Sequence, residues 1–327
     1  MKKTGNSLRK KGIITALALT LIIVATIAAF SFFNGRKAVI TNETSISNLT
    51  YDGSIAVEIN DNIPLFTDEE LNKAKKGFES YSKLDSLGRC GVAEASVCLD
   101  TMPAEDEKRT SLGSVCPTGW KSIGFWCRCH LIGWQLTAEN ANERNLITGT
   151  TRMNMSGMFP YENMVAKYIE EHPDVHVLYR VEPLFEDKNL VASGVIMQAE
   201  SVEDKGASLS FNVYIFNYQP GYIINYKDGT VNDDPDHQTT VTIADKKADY
   251  TGEPITIEPA KVDGSTGDIR YIYYTDKDAK ERTTEKDGAS CKGTAPSRSG
   301  TYYVRAVVSG DNWYPTGTSN VASLIIE

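Results

Sequence analysis

The sequence predicts an α+β domain followed by a small all-β module, with a transmembrane helix ahead of both. An uncharged apolar run extends from Ile13 to Phe33. Between residues 51 and 232, two helical patterns are mixed with β-branched and aromatic runs, whereas only short strand patterns follow residue 240. The chain thus divides into a cytoplasmic basic tail, the transmembrane helix, a tether, the α+β domain, a linker and the β module: 1–11, 12–33, 34–50, 51–232, 233–239 and 240–327.

The N-terminal segment is typical of an uncleaved membrane anchor. Its apolar run is long enough to cross a bilayer as a helix, which takes about 20 residues. A cleavable signal peptide has a shorter apolar core of about 7–15 residues and a small-residue cleavage site, which Ala28-Ala29-Phe30 matches poorly. More basic residues precede the run than follow it, which predicts a cytoplasmic N-terminus. We expect a single-pass protein of the cell membrane with an extracellular C-terminal region, or a secreted protein if the signal is cleaved.

The composition indicates a folded globular protein with room for two domains. The chain has 327 residues, of which 41% are hydrophobic and 24% are charged. The formal net charge of −9 argues against a protein that coats nucleic acid with a broad basic surface, although a few local arginines can still bind a short stretch of backbone. Export allows disulfides, and the sequence leaves open how six cysteines pair: Cys90, Cys98, Cys116, Cys127, Cys129 and Cys291.

Two helices are predicted in the α+β domain. Thr67 and Glu70 form a capping-box pattern, and the helical spacing that follows predicts a helix over 68–81. Pro160 precedes a second helical pattern. This helix should end before Pro173, because the residue preceding a proline disfavours the α region.

The remaining periodicity indicates strands. In the α+β domain, β-branched and aromatic runs predict strands over 175–180, 190–200, 209–217 and 222–226. The run Asp233-Asp234-Pro235-Asp236 predicts a linker. Beyond it, strands are predicted over 255–257, 268–275, 301–308 and 321–326. Short strands separated by Gly-, Pro- and Asp-containing turns are typical of a small β-sandwich.

One stretch combines a histidine with side chains that can bind a hard cation. His130 is followed by Asn145, Asn154 and Glu162. Cutting a phosphodiester takes a base that activates water, a cation that neutralises developing charge and groups that position the phosphate. His130 can act as the base, and Asn154 can offer a carbonyl oxygen to Mg²⁺, which often takes few protein ligands. Glu162 can orient the waters of such an ion. Nearby arginines are candidates for phosphate contact: Arg128, Arg144 and Arg152.

Each of these residues also has a structural explanation. A histidine that ends a strand is more often structural than catalytic, asparagines favour turns, and the helix dipole stabilises an acidic residue in a first turn. Cys116, Cys127, Cys129 and His130 raise a zinc site as another alternative, but Cys-x-Cys-His lacks the usual spacing of zinc ligands. Residue types and spacing alone leave the catalytic and the structural interpretation open.

A series of short motifs favours the catalytic interpretation. In chain order they are Leu84-Asp85-Ser86-Leu87-Gly88-Arg89-Cys90, Pro117-Thr118-Gly119-Trp120, Arg128-Cys129-His130-Leu131-Ile132-Gly133, Arg144-Asn145-Leu146-Ile147-Thr148-Gly149-Thr150, Met153-Asn154, Tyr161-Glu162-Asn163-Met164-Val165, Leu190-Val191-Ala192-Ser193-Gly194-Val195 and Phe211-Asn212-Val213. Through them, the chain from about Tyr51 to Asp233 resembles the DNA/RNA non-specific endonucleases of the ββα-metal (His-Me finger) class. It is most similar to the exported Gram-positive branch of that class.

The resemblance implies an activity and a role for each candidate residue. Nucleases of this family hydrolyse DNA and RNA with little sequence preference, use Mg²⁺ or Mn²⁺, and leave 5′-phosphate ends. The histidine of the family's Asp-Arg-Gly-His motif is the general base and corresponds to His130, and the motif arginine corresponds to Arg128. The metal-binding asparagine corresponds to Asn154. The second active-site asparagine corresponds to Asn145, and the supporting glutamate to Glu162.

Two departures from the family motif support an alternative function. Cys127 stands where the family has Asp or Asn, and the stretch from Trp120 to Cys127 is shorter than in relatives. A thiol is a weaker hydrogen-bond acceptor than a carboxylate. The alternative is a catalytically impaired surface protein that keeps the nuclease fold and binds nucleic acid or a cell-surface partner.

The C-terminal module has a weaker resemblance of its own. Tyr250-Thr251-Gly252-Glu253-Pro254-Ile255 and Gly300-Thr301-Tyr302-Tyr303-Val304 are similar to bacterial Ig-like repeats. The resemblance implies a spacer, or a contact with the cell surface or a carbohydrate, and fold likeness alone does not choose among these. An adhesin is a third hypothesis for the chain. The predicted partners are therefore DNA and RNA backbone, the membrane through residues 12–33, and a surface ligand of the Ig-like module.

Overall fold

The computed structural model describes residues 46, 49–122, 124–283 and 293–327. The predicted transmembrane helix at 12–33 lies outside these residues, and none of the helices within them has the length and apolarity that a membrane span requires. The strands of the N-terminal domain are β1 (Ala56–Glu58), β2 (Phe78–Tyr81), β3 (Ala93–Val97), β4 (Trp126–His130), β5 (Leu146–Thr150), β6 (Val177–Leu184), β7 (Gly194–Ser201), β8 (Ser210–Phe216), β9 (Tyr222–Asn225) and β10 (Thr230–Asp233). Its α-helices are α1 (Asp68–Lys73), α2 (Trp134–Thr137) and α3 (Phe159–Glu171).

The main sheet of this domain is antiparallel and has the strand order β1-β8-β7-β6-β3-β2. Its central strands carry the apolar and aromatic runs, and Val181, Met197 and Val213 lie side by side across β6, β7 and β8. Val165 and Ile169 of α3 are buried in the same apolar cluster as these residues. The helix therefore packs against one face of the sheet.

A separate hairpin of β4 and β5 precedes α3. The two strands pair antiparallel, with Trp126 opposite Thr150 and His130 opposite Leu146. A π-helical turn, Met153–Met158, then runs directly into α3. Two antiparallel strands followed by a helix agree with the predicted ββα order. The π turn was not predicted.

Helix α1 is shorter than the sequence predicted. The capping box is present, since Thr67 Oγ1 accepts from the Glu70 amide and the Glu70 carboxylate accepts from the Thr67 amide. The predicted continuation to residue 81 is wrong: α1 ends at Lys73, and residues 78–81 form strand β2, in which Phe78 pairs with Ser96 of β3. Gly77 disfavours helix between the two elements, and pairing with β3 decides the conformation beyond it. The helix predicted after Pro160 is confirmed as α3.

The C-terminal module consists of strands only, within its described residues. They are β11 (Thr240–Thr242), β12 (Lys246–Ala248), β13 (Lys261–Asp263), β14 (Ile269–Tyr274), β15 (Gly300–Val308), β16 (Gly317–Thr318) and β17 (Ala322–Ile326). One sheet has the order β12-β17-β15-β14, with β16 beside β15, and β11 pairs with β13. The strand predicted over 255–257 is absent. Pro254 and Pro259 flank this segment, and a proline has no backbone N–H to donate to a neighbouring strand.

Candidate active site

The imidazole of His130 is buried and has a partner at each nitrogen. His130 is the last residue of strand β4, and it is 7% exposed. Nε2 lies 2.8 Å from the backbone carbonyl oxygen of Asn140, and Nδ1 lies 3.1 Å from Nη2 of Arg109. A carbonyl oxygen can only accept, and a guanidinium can only donate. The neutral ring therefore carries its proton on Nε2 and its lone pair on Nδ1.

Burial keeps this ring in the neutral state. Desolvation lowers the pKa of His130 to about 4, the bond to Asn140 opposes that change, and the positive charge of Arg109 adds to it. A ring with this pKa is unprotonated throughout the neutral pH range. His130 therefore has the protonation state that a general base needs.

Asn140 holds both His130 and Arg109. Its backbone oxygen accepts from the imidazole, and its side-chain oxygen accepts from Nε of Arg109 at 3.1 Å. Its amide nitrogen donates to the backbone oxygen of Thr110 at 2.7 Å. Neither Arg109 nor Asn140 was among the predicted site residues. No periodic pattern marks either position, because both lie on connecting segments that packing brings to the end of β4.

Glu162 is the second buried titratable group near Arg109. It lies in the first turn of α3 and is 8% exposed. Burial raises the pKa of Glu162 to about 7, while the Gly133 amide that donates to its carboxylate and the charge of Arg109 act in the opposite direction. A β-carbon at Gly133 would lie only 2.7 Å from Oε2 of Glu162. Glycine at 133 is thus what allows the carboxylate to reach the backbone just beyond His130.

Asn145 fixes the chain that follows His130. The residue is fully buried. Its side-chain oxygen accepts from the Ile132 amide at 2.9 Å, and its side-chain nitrogen donates to the Ile132 carbonyl at 3.0 Å. Its backbone oxygen accepts from the Leu131 amide at 2.9 Å. These contacts use both ends of the amide, so its geometry is that of a positioning residue.

Asn154 lies in the π turn that leads into α3. Its backbone oxygen accepts from the amide of Phe159, five residues ahead, which is the π-helical pattern. Glu162 is eight residues after Asn154. A π turn contains one residue more than an α turn, so this separation corresponds to about seven residues of regular α-helix, or about two turns. This spacing favours the same side of the helix for both side chains. The Asn154 side-chain nitrogen contacts Met155 Sδ at 3.7 Å, and no described residue donates to its oxygen.

The three predicted phosphate-binding arginines do not meet at His130. Nη1 of Arg128 donates to the backbone oxygens of Gly113 and Val115, at 2.9 and 2.8 Å. Arg152 donates to Asn312 of the C-terminal module. Arg144 is exposed beside the buried Asn145. In the described part of the chain, no hydrogen bond or ion pair connects any of the three to His130.

The cysteines of the motif form a thiol pair. Cys127 and Cys129 are both free. A hydrogen bond from Cys129 lowers the pKa of Cys127 to about 6 despite partial burial, and Thr151 Oγ1 lies 3.4 Å from its sulfur. Across the described residues, no group of three His, Cys, Asp or Glu side chains can hold a metal ion. The zinc site considered from the sequence therefore has no support.

Comparison with known proteins matches part of this domain to one family. Residues 69–203, which include the hairpin, the π turn and α3, match the family described as DNA/RNA non-specific endonuclease. This match supports the resemblance to the DNA/RNA non-specific endonucleases that the motifs of this domain predicted.

Individual relatives are nucleases as well. A deoxyribonuclease of Streptococcus dysgalactiae subsp. equisimilis is 29% identical over 143 residues, which are 42% of this chain and 39% of that protein. The chain thus spans 39% of the length of this curated relative. NucA from Streptococcus agalactiae, solved with a magnesium ion bound, has 25% identity and a TM-score of 0.48, over 57% of this chain and 89% of NucA. Sda1 nuclease, solved with a bound zinc ion, has 26% identity and a TM-score of 0.43, over 48% of this chain and 81% of Sda1.

Proposed function

We propose that this protein is a metal-dependent endonuclease that hydrolyses DNA, and RNA as well, with little sequence preference and with 5′-phosphate products. The observation that carries the proposal is the buried, neutral His130, whose lone pair on Nδ1 points to a cationic side chain. The match of residues 69–203 to the nuclease family supports it. A base and a cation held together by Asn140 are the two groups that a reacting water and a phosphate need.

His130 acts on the attacking water through Nδ1. As Nδ1 takes the proton, the carbonyl of Asn140 accepts from Nε2 and stabilises the imidazolium that forms. Arg109 donates to Nδ1 in the free protein, so it must first turn away. A phosphate is a stronger acceptor for a guanidinium than a neutral imidazole, and it can be bound through two parallel hydrogen bonds. Substrate binding then frees the lone pair and brings the charge of Arg109 to the phosphate.

The side chains around Asn154 fit a magnesium ion that keeps most of its waters. The Asn154 oxygen has no donor among the described residues, and Glu162 lies about two turns further along the helix. An amide oxygen and a carboxylate are ligands of the type that Mg²⁺ prefers, and Mn²⁺ accepts the same set. Bound there, the ion would neutralise charge on the phosphate and the leaving oxygen.

The other predicted residues take supporting roles in this proposal. Asn145 holds the backbone after His130 through Ile132. Arg144 is exposed and can contact the backbone of a bound strand. Arg128 and Arg152 are engaged by other parts of the protein, so we assign them to the architecture of the site.

A plasmid-cleavage assay tests the proposal. Wild-type protein with Mg²⁺ should cut plasmid, and EDTA should stop the reaction. His130→Ala should lower the rate at least about 100-fold, which is the usual contribution of a general base, and Asn154→Ala should raise the Mg²⁺ requirement. His172→Ala is the matched control, because His172 lies at the exposed C-terminus of α3. Undiminished cleavage by His130→Ala would exclude it as the base.

A second candidate function is binding of nucleic acid without cleavage. It is favoured by the thiol of Cys127 at the first motif position and by the contact of Arg109 with the lone pair that catalysis needs. Salt-sensitive DNA binding with no cleavage in Mg²⁺, Mn²⁺ or Zn²⁺ would support this alternative and exclude the nuclease.

We also propose that the enzyme acts outside the cell, held to the membrane by residues 12–33. The support is the apolar run and the basic residues before it. Fractionation of cells expressing the full chain should place the nuclease in the membrane fraction, where added protease can reach it. Recovery in the medium would indicate a cleaved signal instead.

A further inference from the structure

A loop of the C-terminal module reaches the nuclease domain close to Asn154. This loop, Asp311–Pro315, connects β15 with β16. The hydroxyl of Tyr51 donates to the backbone oxygen of Asn312 at 2.6 Å. Arg152 donates through Nη2 to the side-chain oxygen of the same residue. One asparagine of the C-terminal module therefore binds two side chains of the N-terminal domain.

Ring contacts extend this interface on both sides. Trp313 meets the ring of Tyr51 edge-on, with centroids 5.1 Å apart, and stacks on His237 at 5.4 Å. A β-carbon at Gly53 would lie 3.0 Å from Nε1 of Trp313, and one at Gly221 would lie 2.7 Å from Pro315. At both glycines the two domains approach too closely for a side chain. The contact is therefore packed as well as hydrogen-bonded.

The loop has a fixed shape before it meets the other domain. The carboxylate of Asp311 accepts from the backbone amides of Thr266, Trp313 and Tyr314, each at 2.9 Å. A loop held in this way loses little conformational entropy on docking. The rigid loop can transmit the position of the C-terminal module to the residues that it touches.

Arg152 connects this interface with the π turn. It directly precedes Met153, the first residue of the turn, and its backbone amide donates to Gln219 Oε1 at 3.2 Å. Its Nε is buried and has no hydrogen-bond partner within the described structure. The bond from Nη2 to Asn312 is exposed, and it ties the other end of this guanidinium to the C-terminal module. A bond that restrains Arg152 also restrains the start of the π turn, and Asn154 lies two residues further on.

We propose that Asn312 is a positioning residue of the nuclease, which anchors Arg152 and with it the π turn that carries Asn154. The C-terminal module is then part of the catalytic unit and more than a spacer. The anchoring depends only on the contacts above, whereas its consequence for cleavage rests on the proposed function.

Hydrogen exchange on the full chain tests the anchoring. In Asn312→Ala, the protection of the backbone amides of residues 152–158 against exchange should fall about tenfold, because a hydrogen bond from a charged donor is removed. Asn312→Asp keeps an oxygen opposite Arg152 and should retain the protection. Tyr250→Ala, at an exposed site of the same module, is the control. Equal protection in Asn312→Ala and wild type would overturn the anchoring.

The Mg²⁺ dependence of plasmid cleavage tests the consequence. We expect Asn312→Ala to raise the Mg²⁺ concentration for half-maximal rate several-fold, and Asn312→Asp to restore the wild-type value. If Asn312→Ala loses amide protection but keeps the wild-type Mg²⁺ concentration for half-maximal rate, the anchoring is supported and the positioning role is overturned. If wild type cuts nothing, the nuclease proposal fails, and the exchange result still decides the anchoring.

Discussion

Nη2 of Arg109 lies 3.1 Å from Nδ1 of His130, and the two residues are held by the same neighbour, Asn140. They are 21 positions apart in the chain. The contact joins the only lone pair of a buried neutral imidazole to a permanent cation. It therefore adds to the burial that keeps the base neutral, and in the proposed function it marks the place where a phosphate would bind.

Replacing Arg109 should move the pH dependence of cleavage. In the proposed mechanism His130 works in its neutral form, so the rate should fall as the pH drops through its pKa of about 4. Arg109→Ala removes a charge that lowers this pKa, so the acid limb of kcat/KM should shift to higher pH. The rate at neutral pH should also fall about 100- to 1,000-fold, since a donor to developing phosphate charge is lost. An unchanged acid limb would contradict the contact, and Arg270→Ala, at an exposed site of the C-terminal module, serves as the arginine control.

Glu162→Gln should change how stability depends on pH. Between pH 4.5 and 7 the unfolded chain has released the Glu162 proton and the folded chain has kept it, so the free energy of unfolding falls as pH rises. His130 acts oppositely between pH 4 and 6.5, where only the unfolded chain binds its proton. Glu162→Gln should make the slope of the free energy of unfolding against pH more positive by about 1.4 kcal/mol per pH unit between pH 4.5 and 7. Urea unfolding at several pH values measures this, and parallel curves for variant and wild type would show that Glu162 is not buried.

Asn145→Ala should destabilise the fold through the backbone that follows His130. The substitution leaves the amide and carbonyl of Ile132 without the partners that Asn145 supplies. Two buried backbone groups without partners cost about 2–4 kcal/mol in the free energy of unfolding. Asn142→Ala, which removes only an exposed cap on the Arg144 amide, should cost about 1 kcal/mol or less. Similar losses for the two variants would argue against the positioning role of Asn145.

Local patterns predicted those elements whose stabilising contacts are close in sequence. The Thr67–Glu70 capping box and helix α3 after Pro160 are both present. The prediction failed where a distant partner decided the conformation. Residues 78–81 have helical spacing, but they form a strand because β3 pairs with them. The π turn before α3 likewise has no signature in residue spacing.

The sequence by itself determined which motifs the N-terminal domain carries and the order in which they occur, because these are properties of residue type and spacing. Only the tertiary structure decided that Arg109 and Asn140 face His130. The tertiary structure likewise decided that Arg152 donates to Asn312 of the C-terminal module. Arg109, Asn140 and Asn312 lie on irregular segments, where no period fixes the direction of a side chain. Their partners, and the burial that sets the pKa values of His130 and Glu162, come from packing between elements far apart in the chain.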